Sequence, residues 1–210
     1  LVNVQSARVV KVRSARTVLH VNKMLVLPQP FGAAILARTA AGNESILDSR
    51  VKTLVIDPGY FTFDWLMLDG GQPVLESSGS FEGGVSQLLN SVAAKVRADH
   101  GSNLTLDGVE TGLRLGEANF GYKRIDMKPY RQQMRAAADQ VVSEFLGYLT
   151  IQRAGVQRIF LAGGGAHEYL PSLQARLPEF DIKISESPII DNARGFYAFG
   201  AHTLKSMANG

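Results

Sequence analysis

Apolar positions along the chain follow two periods, and the change from one to the other marks the elements. Residues 8–13 (RVVKVR) and 17–21 (TVLHV) are short β-branched runs around Ser14-Ala15-Arg16 and predict two strands joined by a turn. Residues 24–27 (MLVL) form a third short apolar run, closed by Pro28-Gln29-Pro30. Alanine-rich residues 31–38 then predict a helix that Gly42-Asn43 breaks. Residues 52–57 (KTLVID) predict a buried strand and 62–68 its hairpin partner, and Asp69-Gly70-Gly71 turns the chain into a third strand at 74–80. Val85, Leu88, Leu89, Val92 and Val96 recur at helical spacing, predicting a helix over about 85–99. Residues 101–122 are glycine-rich, with a short helix at 106–114. Met134, Ala138, Val141, Val142, Phe145 and Leu149 supply the stripe of a long helix over about 129–153. A strand at 157–161 leads through Gly163-Gly164-Gly165 into a helix at 167–176. A strand at 181–185 and a helix at 192–207, cut near its start by Gly195, finish the chain.

From residue 52 the order is β-β-β-α-(α)-α-β-α-β-α, which predicts an α/β, ribonuclease-H-like half: a mixed sheet with helices on both faces. Composition changes this picture little. With 210 residues, 45% hydrophobic and 20% charged, the chain can bury a sizeable core. The absence of cysteine excludes disulfides, zinc–thiolate sites and thiol catalysis. A net charge of +3, spread along the chain, is no argument for nucleic-acid binding. No apolar run is long enough to span a membrane and no signal-peptide pattern opens the chain, so we expect a cytoplasmic protein with no membrane contact. The chain opens on Leu1 in strand-like sequence, and we expect further polypeptide before it.

The candidate chemistry starts at VIDPGYFTFDW (55–65). Asp57 at a strand end offers an acid for a divalent cation held through water, Gly59 a close backbone approach to phosphate, and Thr62 a hydroxyl. Read alone, the stretch is equally a β-turn with Asp and Gly for local reasons. Gly83-Gly84 at a helix start offers N–H groups to an anion or a ribose edge, or is a plain loop-to-helix junction. Gly163-Gly164-Gly165 follows a strand directly. A strand-to-helix turn needs one glycine at most, so three predict a backbone surface kept clear for a flat ligand. The dinucleotide spacing and the Walker loop are both absent. Gln29, held between two prolines, is a water-orienting group or a polar loop residue. His20, His100, His167 and His202 lie too far apart to be metal ligands, and Arg124, Lys128 and Arg131 predict a solvated basic helix face.

In order, the segments LPQPFGAA (27–34), VIDPGYFTFDW (55–65), FEGGVSQLL (81–89), IFLAGGGAHEYLP (159–171) and DNARGFYAFGA (191–201) resemble the actin-like ATPase superfamily. Bacterial plasmid-segregation actins of the ParM/StbA type are the nearest match. The resemblance covers nearly all of this chain but only the second half of a complete member. It implies that residues 1–51 are the tail of a first actin-like domain with the crossover, and that 52–210 are the second, nucleotide-binding domain.

The resemblance also implies roles. Asp57 matches the phosphate-loop aspartate near magnesium and the attacked phosphate, with Gly59 and Thr62 on its phosphate side. Gln29 falls where the family positions the attacking water. Gly83 and Gly84 match the ribose contact, and Gly163, Gly164 and Gly165 the adenosine loop. ATP or GTP with Mg is the implied ligand. Self-association into filaments, a DNA-binding adaptor partner and a role in plasmid or organelle segregation are the implied biology. Pro58 and Tyr60 depart from the family loop: Pro58 removes an N–H donor and Tyr60 replaces a small residue. With one wall of the cleft outside this chain, it is expected to bind nucleotide weakly and hydrolyse it slowly. A sugar- or acetate-kinase-like enzyme and a catalytically degenerate interaction module are the competing expectations.

Overall fold

The structure is a computed structural model and describes residues 6–12, 15–21, 24–40, 51–101, 103–149 and 155–208. Strands β1 (Ser6–Val12) and β2 (Ala15–Val21) form an antiparallel two-stranded sheet, as their β-branched sequences predict. The apolar run at 24–27 makes only an isolated bridge at Met24 and runs on, largely exposed, to Pro28. Helix α1 (Gln29–Ala40) starts two residues before the predicted 31. Pro30 is tolerated there because a first-turn N–H has no helical partner to lose. The Gly42-Asn43 break lies outside the described residues.

The main sheet has five strands in the order β5-β4-β3-β8-β9. β3 (Lys52–Pro58), β4 (Phe63–Asp69) and β5 (Gln72–Phe81) are the predicted antiparallel meander. β8 (Val156–Leu161) and β9 (Ile182–Ile184) add in parallel on the far side of β3, as strands reached through helices do. β3 is therefore central, with both faces buried, and its side chains alternate between two cores. Leu54 and Ile56, with Phe63, Trp65 and Met67 of β4, face α2 (Val85–His100), α4 (Tyr130–Leu149) and α5 (Ala166–Arg176). Val55, with Leu66 and Leu68, faces Ala33, Ala34 and Ala37 of α1. The mixed sheet with helices on both faces is thus present as expected.

Residues 101–122 hold more order than their glycines suggest. α3 (Leu106–Leu115) is capped by the Thr105 hydroxyl, which accepts from Gly108 N–H at 3.1 Å. A hairpin follows, β6 (Glu117–Phe120) with β7 (Lys123–Asp126). The last helix, α6 (Asp191–Ala208), packs across α1 at two glycines. A Cβ on Gly195 would overlap the Gly32 carbonyl, and one on Gly32 would overlap the Asn192 backbone. The helices therefore touch backbone to backbone. No helix among the described residues is long and apolar enough to cross a membrane.

Candidate functional site

Asp57 is the last-but-one residue of β3, and alternation along the strand turns it to the α1–α6 face. It is fully buried. Asn192, in the first turn of α6, donates its Nδ2–H to Asp57 Oδ2 at 2.7 Å, and its Oδ1 accepts the Ala33 N–H of α1 at 2.9 Å. The Gln29 side chain lies near the same carboxylate and favours its charged form to a lesser degree. Asp57 Oδ1 meets no partner among the described residues. Burial pushes the Asp57 carboxyl up from its ordinary value. The Asn192 bond pulls the other way, and the Asp64 and Asp191 carboxylates add to the rise. Asp191 is itself only 1% exposed, with both carboxyl oxygens unpartnered among the described residues.

A carboxyl whose folded pKa is raised contributes stability below its unfolded pKa and loses it as pH rises through the folded value. The ionised Asp57 is thus a cost to the free protein near neutrality. Asp57→Asn, which keeps an acceptor for Asn192, is expected to raise the thermal midpoint of the free chain at pH 8. That advantage should shrink toward pH 4 as the wild-type carboxyl takes up its proton. A midpoint difference independent of pH would show that Asp57 carries no such burden.

The turn after Asp57 is largely closed on itself. Gly59 N–H donates to Thr62 carbonyl at 2.8 Å, and Thr62 Oγ1 donates to Asp64 Oδ2 at 2.8 Å. Tyr60 and Phe61 stand exposed at its tip with rings edge to face. The expectation that Gly83-Gly84 opens a free helix N-terminus is corrected. The N–H groups of Gly84, Val85 and Ser86 already bind the carbonyls of Phe61, Gly59 and Tyr60 at 2.8–3.0 Å. These glycines are needed for contact: a Cβ on Gly84 would strike the Tyr60 carbonyl, and one on Gly83 the Phe81 ring. The Tyr169 hydroxyl then fastens this junction from below, donating to Gly83 carbonyl at 2.6 Å.

The triple glycine lies beside Asp57 because β8 runs parallel to β3. Gly165 N–H binds Pro58 carbonyl at 2.8 Å. Gly163 has φ +82°, a conformation side chains disfavour, and a Cβ there would overlap Asp57 Oδ1. Gly165 is pressed against Pro58 and Val85. Two of the three glycines therefore serve the joint with β3, which narrows the bare-surface expectation to Gly164, whose Cβ would meet nothing within 4 Å.

Gly164 opens on a cavity of about 340 Å³ lined by residues of α2–α5, among them Glu110, Arg114, Arg131 and Glu168. Sequence reading passed over this charged rim. The predicted basic face also divides: Arg124 pairs with Glu117 of the hairpin, whereas Arg131 donates to Leu113 carbonyl at 2.5 Å and lines the cavity. Asn192 and Asp191 were missed as well, since Asp-Asn before a helix reads as a cap. Only their position in DNARGFYAFGA hinted at more. His167 is exposed at the start of α5.

No group of three or more His, Cys, Asp or Glu among the described residues is arranged to hold a metal ion. The donor set, one buried carboxylate with a free oxygen behind a turn, fits a cation held through water against a phosphate and not a resident metal.

The family model for the C-terminal region of MreB-like archaeal actin homologues matches residues 55–175. No curated protein matches the chain. Among solved structures, Ta0583, an archaeal actin homologue in complex with ADP, aligns with a TM-score of 0.74 at 21% identity, covering 90% of this chain and 62% of that one. A non-polymerisable quadruple mutant of pCBH ParM aligns at 0.72 and 21% identity, covering 89% and 58%. A 15-stranded ParM filament from Clostridium botulinum aligns at 0.69 and 20% identity, covering 90% and 58%. At these identities the likeness is one of fold, and this chain spans about three fifths of the length of each structure.

Proposed function

The chain belongs to the MreB-like archaeal actin-homologue family in its C-terminal part, and from that premise we propose that it is the nucleotide-binding half of an actin-like ATPase. Residues 52–210 are the second actin-like domain on this reading, and 1–51 the tail of a first domain with its crossover. The observation that carries it is a convergence. The Asp57 carboxylate and the turn at Gly59 meet the Gly163–Gly165 bend at the end of β3, with Gln29 near the carboxylate, and Gly164 of that bend lines the cavity between α2 and α5. Glu110, Arg114, Arg131 and Glu168 would hold the base of a nucleoside placed over Gly164. The turn at Gly59 and Thr62 would face its phosphates.

Phosphoryl transfer to water is mostly positioning and charge stabilisation. Asp57 would hold a Mg ion, which would offset phosphate charge when bound. Gln29, whose side chain lies near Asp57, would supply an amide carbonyl as acceptor for the attacking water. ADP bound to the archaeal homologue supports an adenine nucleotide, with GTP as the alternative. The ParM filament supports self-association; on the same reading ATP drives it in the cytoplasm, with plasmid or organelle segregation through a DNA-binding adaptor as the use.

One observation favours a second reading, a binding module with little hydrolysis. Pro58 has no N–H, and the Gly59 N–H and the Thr62 hydroxyl are already engaged within the turn.

Gly164→Val tests the binding reading cleanly, since the new side chain meets open space. Stability should stay within about 0.5 kcal/mol of wild type. ADP affinity, measured by calorimetric titration, should fall at least about tenfold, or roughly 1.4 kcal/mol. Unchanged affinity would remove the nucleoside from this cavity. Phosphate release then separates the two readings: Asp57→Ala lowers it in an ATPase, and wild type already sits at background in a binding module.

A further inference from the structure

Asn192 makes two bonds of different kinds, and their chemistry fixes its orientation. A backbone N–H only donates, so the Ala33 N–H takes the Asn192 oxygen, and the amide nitrogen must face Asp57. One side chain therefore ties β3 to both α1 and α6 across 135 residues of sequence. It occupies Oδ2 of a fully buried carboxylate and leaves Oδ1, against the Gly163 bend, as the free acceptor. The helix it braces is the one that begins with Gln29. Without Asn192, Asp57 would turn about its own side-chain bonds, with the Asp64 and Asp191 carboxylates nearby to repel it.

We propose that Asn192 is a positioning residue for Asp57, setting which carboxylate oxygen faces the cation and phosphate side and holding it in register with Gln29. This rests on the nucleotide reading above. A plain brace between α1 and α6 would need only the bond to Ala33, whereas a positioning role needs the bond to Asp57.

Two variants pull these roles apart. Asn192→Asp keeps an acceptor for Ala33 N–H but sets a like charge against Asp57. Asn192→Leu removes both bonds. The readout is the ratio of ADP affinity in magnesium to ADP affinity in EDTA, measured on the full chain by titration calorimetry. Both variants are expected to lower that ratio about tenfold with the EDTA affinity unchanged, as loss of a charge-assisted bond to the cation-holding carboxylate would. If Asn192→Leu does not fold, Asn192→Asp decides alone. The double variant Asp57→Asn with Asn192→Asp restores a bond with reversed polarity, so it should recover thermal stability but not the magnesium ratio. A wild-type ratio in Asn192→Asp overturns the proposal and leaves a brace. Binding of ADP by wild type without magnesium dependence also overturns it, while the nucleotide reading stands. No ADP binding by wild type in either condition overturns both.

Discussion

Phe63→Ala is expected to cost about 3–5 kcal/mol, the range for emptying a buried aromatic site. Phe63 is fully buried where the site's hairpin meets the larger core. Its ring centroid lies 4.9 Å from Phe145 of α4, 5.2 Å from Tyr169 of α5 and 5.5 Å from Phe81 of β5. These rings come from four elements that cannot all move inward together, so the cavity should stay largely open. Against a typical domain stability of about 5–15 kcal/mol, the loss is a large fraction. The thermal midpoint, followed by circular dichroism, should drop by about 10 °C or more. Leu75→Ala is the comparison: Leu75 is 63% exposed on β5, and its loss should stay within about 0.5 kcal/mol. Equal losses in the two variants would mean that the ring cluster is not the keystone of this half.

Gly195→Ala should be the next most damaging change, and its sign is the informative part. An alanine inside a helix ordinarily gains about 1 kcal/mol over glycine. Here the added methyl would enter the Gly32 carbonyl, and backbone cannot swing aside as a flexible side chain can. Overpacking of this kind costs about 1–3 kcal/mol, and α1 and α6 must part to relieve it. Asn192 sits one turn before Gly195, so its hold on Asp57 and Ala33 should loosen with the crossing. Gly200→Ala, five residues further on in the same helix with nothing within 4 Å of the new Cβ, should be neutral or stabilising by up to about 1 kcal/mol. Urea unfolding of the pair measures both signs. A stabilised Gly195→Ala would show that the helices do not cross in contact.

Much of this was legible in the sequence, for reasons that can be given residue by residue. The β3–β4–β5 meander announced itself because β3 and β4 bury both faces and so carry unbroken apolar runs. The stripes of α2 and α4 were readable because each packs one face on a single core. The β6–β7 hairpin was not readable, since only Ala118 and Ile125 of its eight strand residues are buried and four-residue strands carry too little alternation. At the site, Asp57 and the three glycines stood out by residue type. Their separate jobs did not, because what a glycine makes room for is set by the neighbouring strand. Asn192 could not be found locally at all, its partner being a strand end far back in the chain.

The two-sided burial of β3 has one more consequence. Moving its pairing by a single residue would not shift Asp57 along the edge of the sheet. It would flip the carboxylate through the pleat, into the ring cluster of Phe63 and Tyr169, and drive Ile56 against Asn192. A deletion between residues 52 and 56 should therefore act as a folding lesion and not as a graded loss of ligand affinity. Lineages that lose the chemistry should do so by exchanging the acid while leaving the length of this strand intact.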